Sequence, residues 1–464
     1  MFTFIGFFIG QFMNIDTKYH KVTSYLFTQF PQYQQIGAGA YKSGLEGMVA
    51  LDELMEQPHK RFHSIHVAGT NGKGSVAHLL AAILQRAGYK VGLYTSPHLV
   101  DFRERIRING VMIPQEEVVR FVERFKESLD VLQPSFFEIT TAMAFHHFAR
   151  QRVDIAVIET GLGGRLDSTN VINPVLSIIT NIGFDHCTYL GDSLPLIAAE
   201  KGGIIKPGVP VVVGERNPNT DEVFIQMARG VKSLLFFAQD YYKVESAIHD
   251  EHYQRFYVNE NGLIWSEEYL LDLGGDYQRQ NLPTVLMGTE LLRRMGKIFG
   301  RHTLSQNVIK FGLRDAARTT GLRGRWECIS QKPKVIVDTA HNAHGLQWVF
   351  EQLQRECKGA LQGVHHEPSE HTHCRLHIVF GVVAEKDLEP ILLLLPQDAH
   401  YYFTQPQIHR ALNANLLAEQ CRSVGIIGEV IPNVAAALTA AKRNAHKDDI
   451  IFVGGSTFVV SEVV

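Results

Sequence analysis

Residues 69–75 read Gly-Thr-Asn-Gly-Lys-Gly-Ser, and they give the strongest indication of fold in the chain. The preceding residues, 62–68, read as a strand. The residues after it are apolar at helical spacing until Gly88 ends the pattern, at Val76, Leu79, Leu80, Ile83, Leu84 and Ala87. A strand, a glycine-rich turn and a helix are typical of a phosphate-binding loop. Glycines let backbone N–H groups approach phosphate oxygens, and the helix N-terminus adds the positive end of its dipole.

The loop already contains the side chains that nucleotide chemistry needs. Lys73 is expected to reach the β- and γ-phosphates, and Ser75 is the hydroxyl that usually turns toward magnesium. The usual pattern has a glycine at the position held here by Val67, so a glycine turn that serves only the sheet stays open as an alternative. The predicted nucleotide contacts of the loop are Gly69, Thr70, Asn71, Gly72, Lys73, Gly74 and Ser75.

Composition indicates an ordinary soluble globular protein. The chain has 464 residues, which favours two domains, and 45% of them are hydrophobic. The formal charge is −3, from 45 basic and 48 acidic side chains, so nothing points to nucleic acid. Five cysteines without CxxC spacing fit a reducing compartment, and we expect a cytoplasmic protein.

The first ten residues are apolar but do not predict a membrane segment. They lack the cationic start of a signal peptide and fall short of the roughly 20 residues that span a bilayer. We therefore expect no membrane anchor. Whether translation starts at Met1 or at Met13 stays open.

Strands and helices alternate from Ile65 to about Lys206. Predicted strands at 91–95, 153–159 and 175–180 are each followed by a polar or glycine-containing turn, which is typical of a parallel sheet covered on both faces. Ligands of such sheets bind at the carboxyl ends of the strands. Polar residues at 95–98, 159–161 and 181–186 end three of these strands, so we expect them to converge on one crevice.

A second α/β unit follows a polar stretch that begins after Gly312. Its predicted strands are 335–338, 376–380, 400–404 and 450–453, and we place the domains at 1–318 and 319–464. Between its first two strands, the histidine-rich stretch 365–373 matches no defined metal-ligand spacing, so a solvated loop is favoured over a metal site.

Chemistry alone suggests roles for two residues at strand ends. Glu159 ends a buried strand where P-loop enzymes place the acid directed at magnesium, whereas Asp154 comes too early on that strand to face the same crevice. Magnesium prefers oxygen ligands, so His186 is expected to contact phosphate or to act on the metal only indirectly.

Several motifs in order resemble the folylpolyglutamate synthases, many of which are also dihydrofolate synthases. They include residues 65–68 before the loop, YTSPHLVDFRERI at 94–106 and GLGGRLDSTN at 161–170. The resemblance continues through 181–186, 200–206, Asn281, 324–325, 338–342 and 386–387. It implies an α/β protein in which a P-loop, Mur-ligase-like domain with a parallel-rich sheet is joined to a smaller Rossmann-like C-terminal domain, with the active site between them.

The resemblance also implies roles for individual residues. Ser96 and Glu159 match magnesium ligands, and His186 matches a ligand of a second magnesium ion, in place of the indirect role suggested above. Lys201 matches a lysine that is carbamylated in this superfamily, with a plain phosphate-binding lysine as the alternative. The remaining matches are Asn281 and Arg325 for adenine and phosphate, Asp338 and His341 for the small-domain side of the nucleotide, and Ser135 and Asp167 for the pterin substrate.

The implied reaction joins L-glutamate to dihydropteroate or to folates, using ATP and two magnesium ions. A carboxylate is a poor electrophile, so it would first accept the γ-phosphoryl group, and the amine of glutamate would then attack the acyl phosphate. Lys73, Lys201 and His186 are the predicted catalytic residues, and we expect a monomer whose small domain closes about a hinge at 319–321.

Two alternative functions fit the sequence less well. A Mur-type ligase for a UDP-linked sugar peptide normally carries roughly a hundred residues before the loop, whereas 68 precede Gly69 here. A nucleotide-dependent switch without ligase activity would not need Ser96, Glu159, His186 and Lys201 intact. Whether the product is dihydrofolate, polyglutamylated folate or both stays open.

Overall fold

The computed structural model describes residues 14–30, 44–249, 252–296, 303–359 and 374–464. The start-site question at Met1 and Met13 and the histidine-rich stretch 365–373 lie outside the described residues. No helix in the described part of the chain is long and apolar enough to cross a membrane.

The first lobe is built on an eight-stranded, mostly parallel sheet. Its spatial order is β4-β3-β2-β5-β1-β6-β7-β8, in which β2, β5, β1, β6, β7 and β8 run parallel and β3 and β4 add an antiparallel edge. The strands are β1 His63–Ala68, β2 Val91–Tyr94, β3 Ile106–Ile108, β4 Val111–Met112, β5 Ile155–Glu159, β6 Leu176–Ile179, β7 Val211–Val213 and β8 Leu235–Phe237. The predicted strands before and after the loop are therefore confirmed, and β1 lies between β5 and β6.

Helices cover both faces of this sheet. They are α1 Ile15–Gln29, α2 Glu46–Leu54, α3 Lys73–Arg86, α4 Gln115–Leu132, α5 Phe136–Gln151, α6 Cys187–Leu190, α7 Leu194–Gly202, α8 Asp221–Gly230, α9 Gln278–Arg294, α10 Gln306–Arg314 and α11 Ala316–Thr320. One apolar cluster packs α3, α9 and α10 on one face, and a second packs α2, α4 and α5 on the other. Both faces of the strands are thus buried, which explains why β2, β5 and β7 consist mostly of apolar residues, while β1 also buries Ser64 and His66.

A small antiparallel sheet was not predicted from the sequence. Its strands are β9 Tyr242–His249, β10 Gln254–Glu260 and β11 Ser266–Leu271, with β10 in the centre. Phe256, Val258, Tyr269 and Leu271 join the cluster beneath α9 and α10. This sheet therefore extends the core of the first lobe.

The second lobe contains a six-stranded sheet in the order β12-β13-β17-β14-β15-β16, in which only β12 is antiparallel to its neighbour. The strands are β12 Glu327–Gln331, β13 Lys334–Asp338, β14 Leu376–Phe380, β15 Ala399–Phe403, β16 Gly428–Val430 and β17 Ile450–Gly454. The helices are α12 Ala343–Gly359, α13 Glu389–Leu392, α14 Ala414–Ser423, α15 Val434–Asn444 and α16 Thr457–Ser461. The predicted α/β class is confirmed, and the predicted boundary at 318/319 falls within α11.

Candidate active site

The loop between β1 and α3 has backbone angles that favour glycine. Gly69 has φ 145° and Gly72 has φ 83°, in the left-handed region. A Cβ on Gly69 would lie 1.8 Å from Thr180 Oγ1, and one on Gly72 would lie 2.1 Å from Asn281 Oδ1. Both positions therefore need glycine for conformation and for space.

The end of β6 anchors this loop. Asn181 accepts the backbone N–H of Thr70 on its carbonyl at 3.0 Å and that of Asn71 on its side-chain oxygen at 2.9 Å. Thr180 Oγ1 donates to the carbonyl of Asn71 at 2.5 Å. The polar residues that end β6 thus fix the loop.

Two lysines meet at one carbonyl of the loop. Lys73 Nζ donates to the carbonyl of Gly69 at 3.1 Å, and Lys201 Nζ donates to the same oxygen at 2.9 Å. Lys201 is only 4% exposed, and burial together with the charge of Lys73 lowers its pKa to about 7. Lys201 can therefore lose its proton near neutral pH, unlike an ordinary lysine.

Glu159 and Ser96 form an oxygen-rich corner opposite Lys73. Glu159, the last residue of β5, is buried and accepts the backbone N–H of Ser96 at 3.1 Å. Burial raises the pKa of Glu159, and the charge of Lys73 opposes that shift. A carboxylate and a hydroxyl are ligands that magnesium prefers, so these residues fit the ion. Among the described residues, no three His, Cys, Asp or Glu side chains are grouped as metal ligands.

Asp185 joins the two lobes beside His186. Its carboxylate accepts hydrogen bonds from Lys386 Nζ at 2.8 Å and Asn342 Nδ2 at 3.2 Å, and it faces His341 Nε2 at 3.5 Å. Despite burial, these donors and nearby cations hold the pKa of Asp185 well below its usual range. Burial lowers the pKa of the adjacent His186 to about 4, so that this imidazole is neutral at pH 7.

A second contact between the lobes involves the loop itself. Asn342 Nδ2 donates to Asn71 Oδ1 at 2.9 Å, and Asn71 Nδ2 donates to Asn342 Oδ1 at 3.3 Å. Asn342, Asp185 and Lys386 lie within the motifs 338–342, 181–186 and 386–387, and the sequence predicts no role for them. Their position in polar groups at strand ends was the available signal.

Two of the predicted residues, Asn281 and Ser75, are joined through Gln278 on the side of the loop that faces α9. Asn281 is buried under Gly72 and donates to Gln278 Oε1 at 2.8 Å, and Gln278 Nε2 donates to Ser75 Oγ at 3.3 Å. Ser75 is 2% exposed. The hydroxyl of Ser75 is thus engaged within the fold, on the side of α3 that faces α9.

The second lobe contributes a guanidinium and a buried carboxylate. A Cβ on Gly74 would lie 3.7 Å from both Arg325 Nη2 and Glu159 Oε2, so these opposite charges face the start of α3. Asp338 accepts Tyr277 O–H and the backbone N–H groups of Trp326 and Ala340, each at 2.7 Å. Burial raises the pKa of Asp338, and its hydrogen bonds hold the strand-to-helix turn of this lobe in place.

Two predicted substrate residues have structural partners of their own. Ser135 caps α5, since its Oγ accepts the N–H of Glu138 at 3.2 Å while Glu138 Oε2 accepts the N–H of Ser135 at 2.6 Å. Asp167 is buried, and burial raises its pKa. Its Oδ2 accepts the backbone N–H groups of Gly161 and Leu162, each at 2.8 Å.

Most of the predicted residues converge on a cavity of about 290 Å³ between the lobes. Its wall includes Gly69, Thr70, Lys73, Ser96, Ser135, Asp167, Asp185, His186, Lys201, His341 and Lys386, together with the rings of Phe136, Phe137 and Phe458. A neighbouring cavity of about 60 Å³ is lined by Gly74, Ser96, Glu159 and Arg325, among others. Ser96 borders both spaces. Five predicted residues do not border these two cavities: Asn71, Gly72, Ser75, Asn281 and Asp338.

The arrangement combines a preorganised phosphate loop with a buried carboxylate, a lysine of low pKa and an aromatic cavity, all closed by a second lobe. The model of the Mur ligase middle domain matches residues 67–282, and that of the Mur ligase, glutamate ligase domain matches residues 324–457. The fold and the site together define an ATP-dependent ligase of the Mur type.

Individual relatives narrow this class. The dihydrofolate synthase/folylpolyglutamate synthase of Bacillus subtilis is 32% identical over 432 residues, covering 91% of this chain and 94% of that protein. The structure of E. coli FolC in complex with DHPP and ADP has a TM-score of 0.76 and 27% identity, with 96% of each chain covered. The chain belongs to the dihydrofolate synthase/folylpolyglutamate synthase family.

A further solved relative carries a metal. The bifunctional folylpolyglutamate synthase/dihydrofolate synthase of Yersinia pestis, complexed with AMPPNP and a Mn ion, has a TM-score of 0.76 and 25% identity. The match covers 96% of the present chain and 97% of the Yersinia pestis chain.

Proposed function

We propose that this chain is a bifunctional ligase, which joins L-glutamate to dihydropteroate and to the γ-carboxyl group of reduced folates at the expense of ATP. This proposal rests above all on the convergence of Lys73, Ser96, Lys201 and Asp167 on the cavity of about 290 Å³ between the lobes. A phosphate cradle lies at one side of that space and aromatic rings lie at another. The relatives bind the matching compounds, since FolC was solved with DHPP and ADP.

The chain's own residues would carry out phosphoryl transfer mainly by positioning and by charge. Lys73 would leave the carbonyls of Gly69 and Thr70 to follow the γ-phosphoryl group as it moves to the substrate carboxylate. Arg325 belongs to the second lobe and faces the start of α3, where its guanidinium would stabilise negative charge on the phosphoryl group. The acyl phosphate formed in this way gives the amine of glutamate an electrophile that it can attack.

Magnesium fits the corner between Ser96 and Glu159, and His186 would be the candidate contact for a second ion. The bound metal supplies positive charge that offsets the charge on the phosphoryl oxygens. Glu159 is buried and its pKa is raised. A cation nearby would favour the ionised carboxylate, which is why this residue suits the role.

Lys201 is the proposed site of carbamylation. A neutral amine adds to CO2, giving a carbamate and releasing one proton, and burial already makes the neutral amine accessible near pH 7. The carbamate would be an anion beside Lys73, where the unmodified cation is repelled. It would thereby become an oxygen ligand for the second metal.

The second lobe would exclude water from the acyl phosphate. Lys386 and Asn342 of the second lobe donate hydrogen bonds to Asp185 and Asn71 of the first lobe, respectively. These hydrogen bonds would stabilise the closed arrangement of the lobes. We propose domains at 1–318 and 319–464, with a hinge at 319–321 where Gly321 has φ 71°. We also propose that the enzyme acts as a monomer.

A substrate panel tests the function. The purified enzyme receives ATP, magnesium and glutamate with dihydropteroate, with tetrahydrofolate or with neither, and mass spectrometry weighs the products. We expect one added glutamate on dihydropteroate and one or more on tetrahydrofolate, with ADP formed only when both acid and amine are present. ADP formation that needs neither would instead indicate a nucleotide switch.

A further inference from the structure

A row of hydrogen bonds runs behind the cavity wall from β1 to the loop 161–169, here called the Asp167 loop. His66 on β1 is fully buried, and its Nε2 lies 2.8 Å from Thr169 Oγ1. Thr169 Oγ1 in turn donates to Asp167 Oδ1 at 2.5 Å. Asp167 borders the cavity, so the row connects the central strand of the sheet to the substrate space.

The directions of these hydrogen bonds follow from what each group can donate. Burial raises the pKa of Asp167, but the three backbone N–H groups that point at its carboxylate oppose this shift and favour the ionised, acceptor-only form. The hydrogen of Thr169 Oγ1 is therefore used on Asp167, and Thr169 can only accept from His66. It follows that His66 is the neutral tautomer with its hydrogen on Nε2.

Two further observations agree with this assignment. Burial and the charge of Lys206 lower the pKa of His66 to about 3, so the ring is neutral. His66 Nδ1, which would carry no hydrogen in this tautomer, is buried and has no hydrogen-bond partner in the described part of the chain. The single N–H hydrogen of the His66 ring is therefore on Nε2 and points at Thr169 Oγ1.

The carboxylate of Asp167 closes its loop from both ends. Oδ2 accepts from Gly161 and Leu162 at the start of the loop, and Oδ1 accepts the N–H and the O–H of Thr169 at its end. Two carboxylate oxygens offer about four acceptor positions, and four donors fill them. The hydroxyl of Thr169 is the one side-chain donor in this set, and its orientation depends on His66.

We infer that His66 is a positioning residue, which acts through Thr169 on Asp167 and so fixes the wall that receives the pteroate part of the substrate. This inference rests on the proposed function for the identity of that substrate. The competing explanation is that His66 only fills space in the core. The two explanations differ in whether the hydroxyl of Thr169 controls substrate affinity.

Paired variants of Thr169 and His66 distinguish the two explanations. Thr169→Val keeps the shape of the side chain and removes the hydroxyl, and Thr169→Ser keeps the hydroxyl and removes the methyl group. His66→Gln can still place a donor near the position of Nε2, whereas His66→Asn is too short to do so. For each variant, the KM for dihydropteroate, the kcat, the Kd for AMPPNP and the midpoint of thermal unfolding are measured.

We expect Thr169→Val to raise the KM for dihydropteroate on the order of tenfold, because a buried carboxylate loses a donor. The kcat and the Kd for AMPPNP should change less than about threefold. Thr169→Ser and His66→Gln should remain near the wild type. His66→Asn should resemble Thr169→Val, and the double variant His66→Asn/Thr169→Val should be no worse than Thr169→Val alone, because His66 acts through Thr169.

Equal KM values for Thr169→Val and Thr169→Ser would overturn the inference, and so would additive effects in the double variant. A parallel rise in the KM for dihydropteroate and the Kd for AMPPNP would also overturn it, since general loosening of the core would affect both. A wild-type enzyme that does not turn over dihydropteroate would refute the proposed function instead, so the two failures are distinguishable.

Discussion

Replacing Gly72 by alanine should disable the phosphate loop, and the structure gives the size of the effect. Gly72 has φ 83°, and an alanine there costs about 1–2 kcal/mol in backbone energy. Its Cβ would also lie 2.1 Å from Asn281 Oδ1. Asn281 is buried and bonded to Gln278, so moving it costs about another 1–2 kcal/mol. The sum of about 2–4 kcal/mol corresponds to roughly a 30- to 700-fold change in an equilibrium constant.

Calorimetric titration with AMPPNP and thermal unfolding together detect this free-energy cost, whether it lowers nucleotide affinity or the stability of the fold. If the loop rearranges to relieve the clash, the Kd rises by the factor above, and if it does not, the unfolding midpoint falls. Gly74→Ala is the matched control for unfolding: its Cβ would find its nearest atoms at 3.7 Å, and alanine is favoured over glycine in a helix by about 1 kcal/mol. A Gly72→Ala enzyme with wild-type affinity and unfolding would refute the reasoning, as would Gly74→Ala destabilising equally.

Four other side chains lead to further predictions. Lys73→Met should reduce kcat by at least about a hundredfold because the γ-phosphoryl group loses its cation, whereas near-normal turnover would remove Lys73 from the chemistry. Glu159→Ala should raise the magnesium concentration needed for half-maximal activity, and an unchanged magnesium titration would contradict the assignment. Because the pKa of Lys201 is about 7, its amine becomes neutral as pH rises through 7, so the NMR signal of a carbamate from labelled bicarbonate should grow between about pH 6 and about pH 8; a signal that falls or is absent would exclude the modification. Asp185→Asn should weaken the contact with Lys386 and enlarge the radius of gyration in X-ray scattering, and an identical scattering profile would show that this contact does not hold the lobes together.

The loop and the strands beside it were predictable because their signals are local. Glycines at 69 and 72 and strands rich in apolar residues are visible in a few consecutive residues. The strands β1, β5 and β6 lie where this pattern predicts them. The antiparallel sheet of β9–β11 was not predicted, since its strands mix polar with apolar residues, are partly exposed and owe their order to packing beneath α9 and α10.

The candidate site was predictable residue by residue only in part. The loop pattern predicts Lys73 and the end of a buried strand predicts Glu159, whereas the role predicted for Ser96 came only from the family resemblance. The hydrogen bonds of Asp185 with Lys386 join residues 201 positions apart, and no local pattern indicates that they meet. The low pKa of Lys201 likewise arises from burial beside Lys73, which only the folded chain creates.

We propose that the two lobes together pass the γ-phosphoryl group of ATP to the carboxyl group of a pteroate substrate. Dihydropteroate whose carboxyl oxygens carry a heavy isotope is the decisive substrate, with mass analysis of the phosphate released during ligation to glutamate. We expect one heavy oxygen in the phosphate for each amide bond formed, because the acyl phosphate breaks between carbon and that oxygen. Phosphate free of the heavy isotope, with product formed normally, would contradict it.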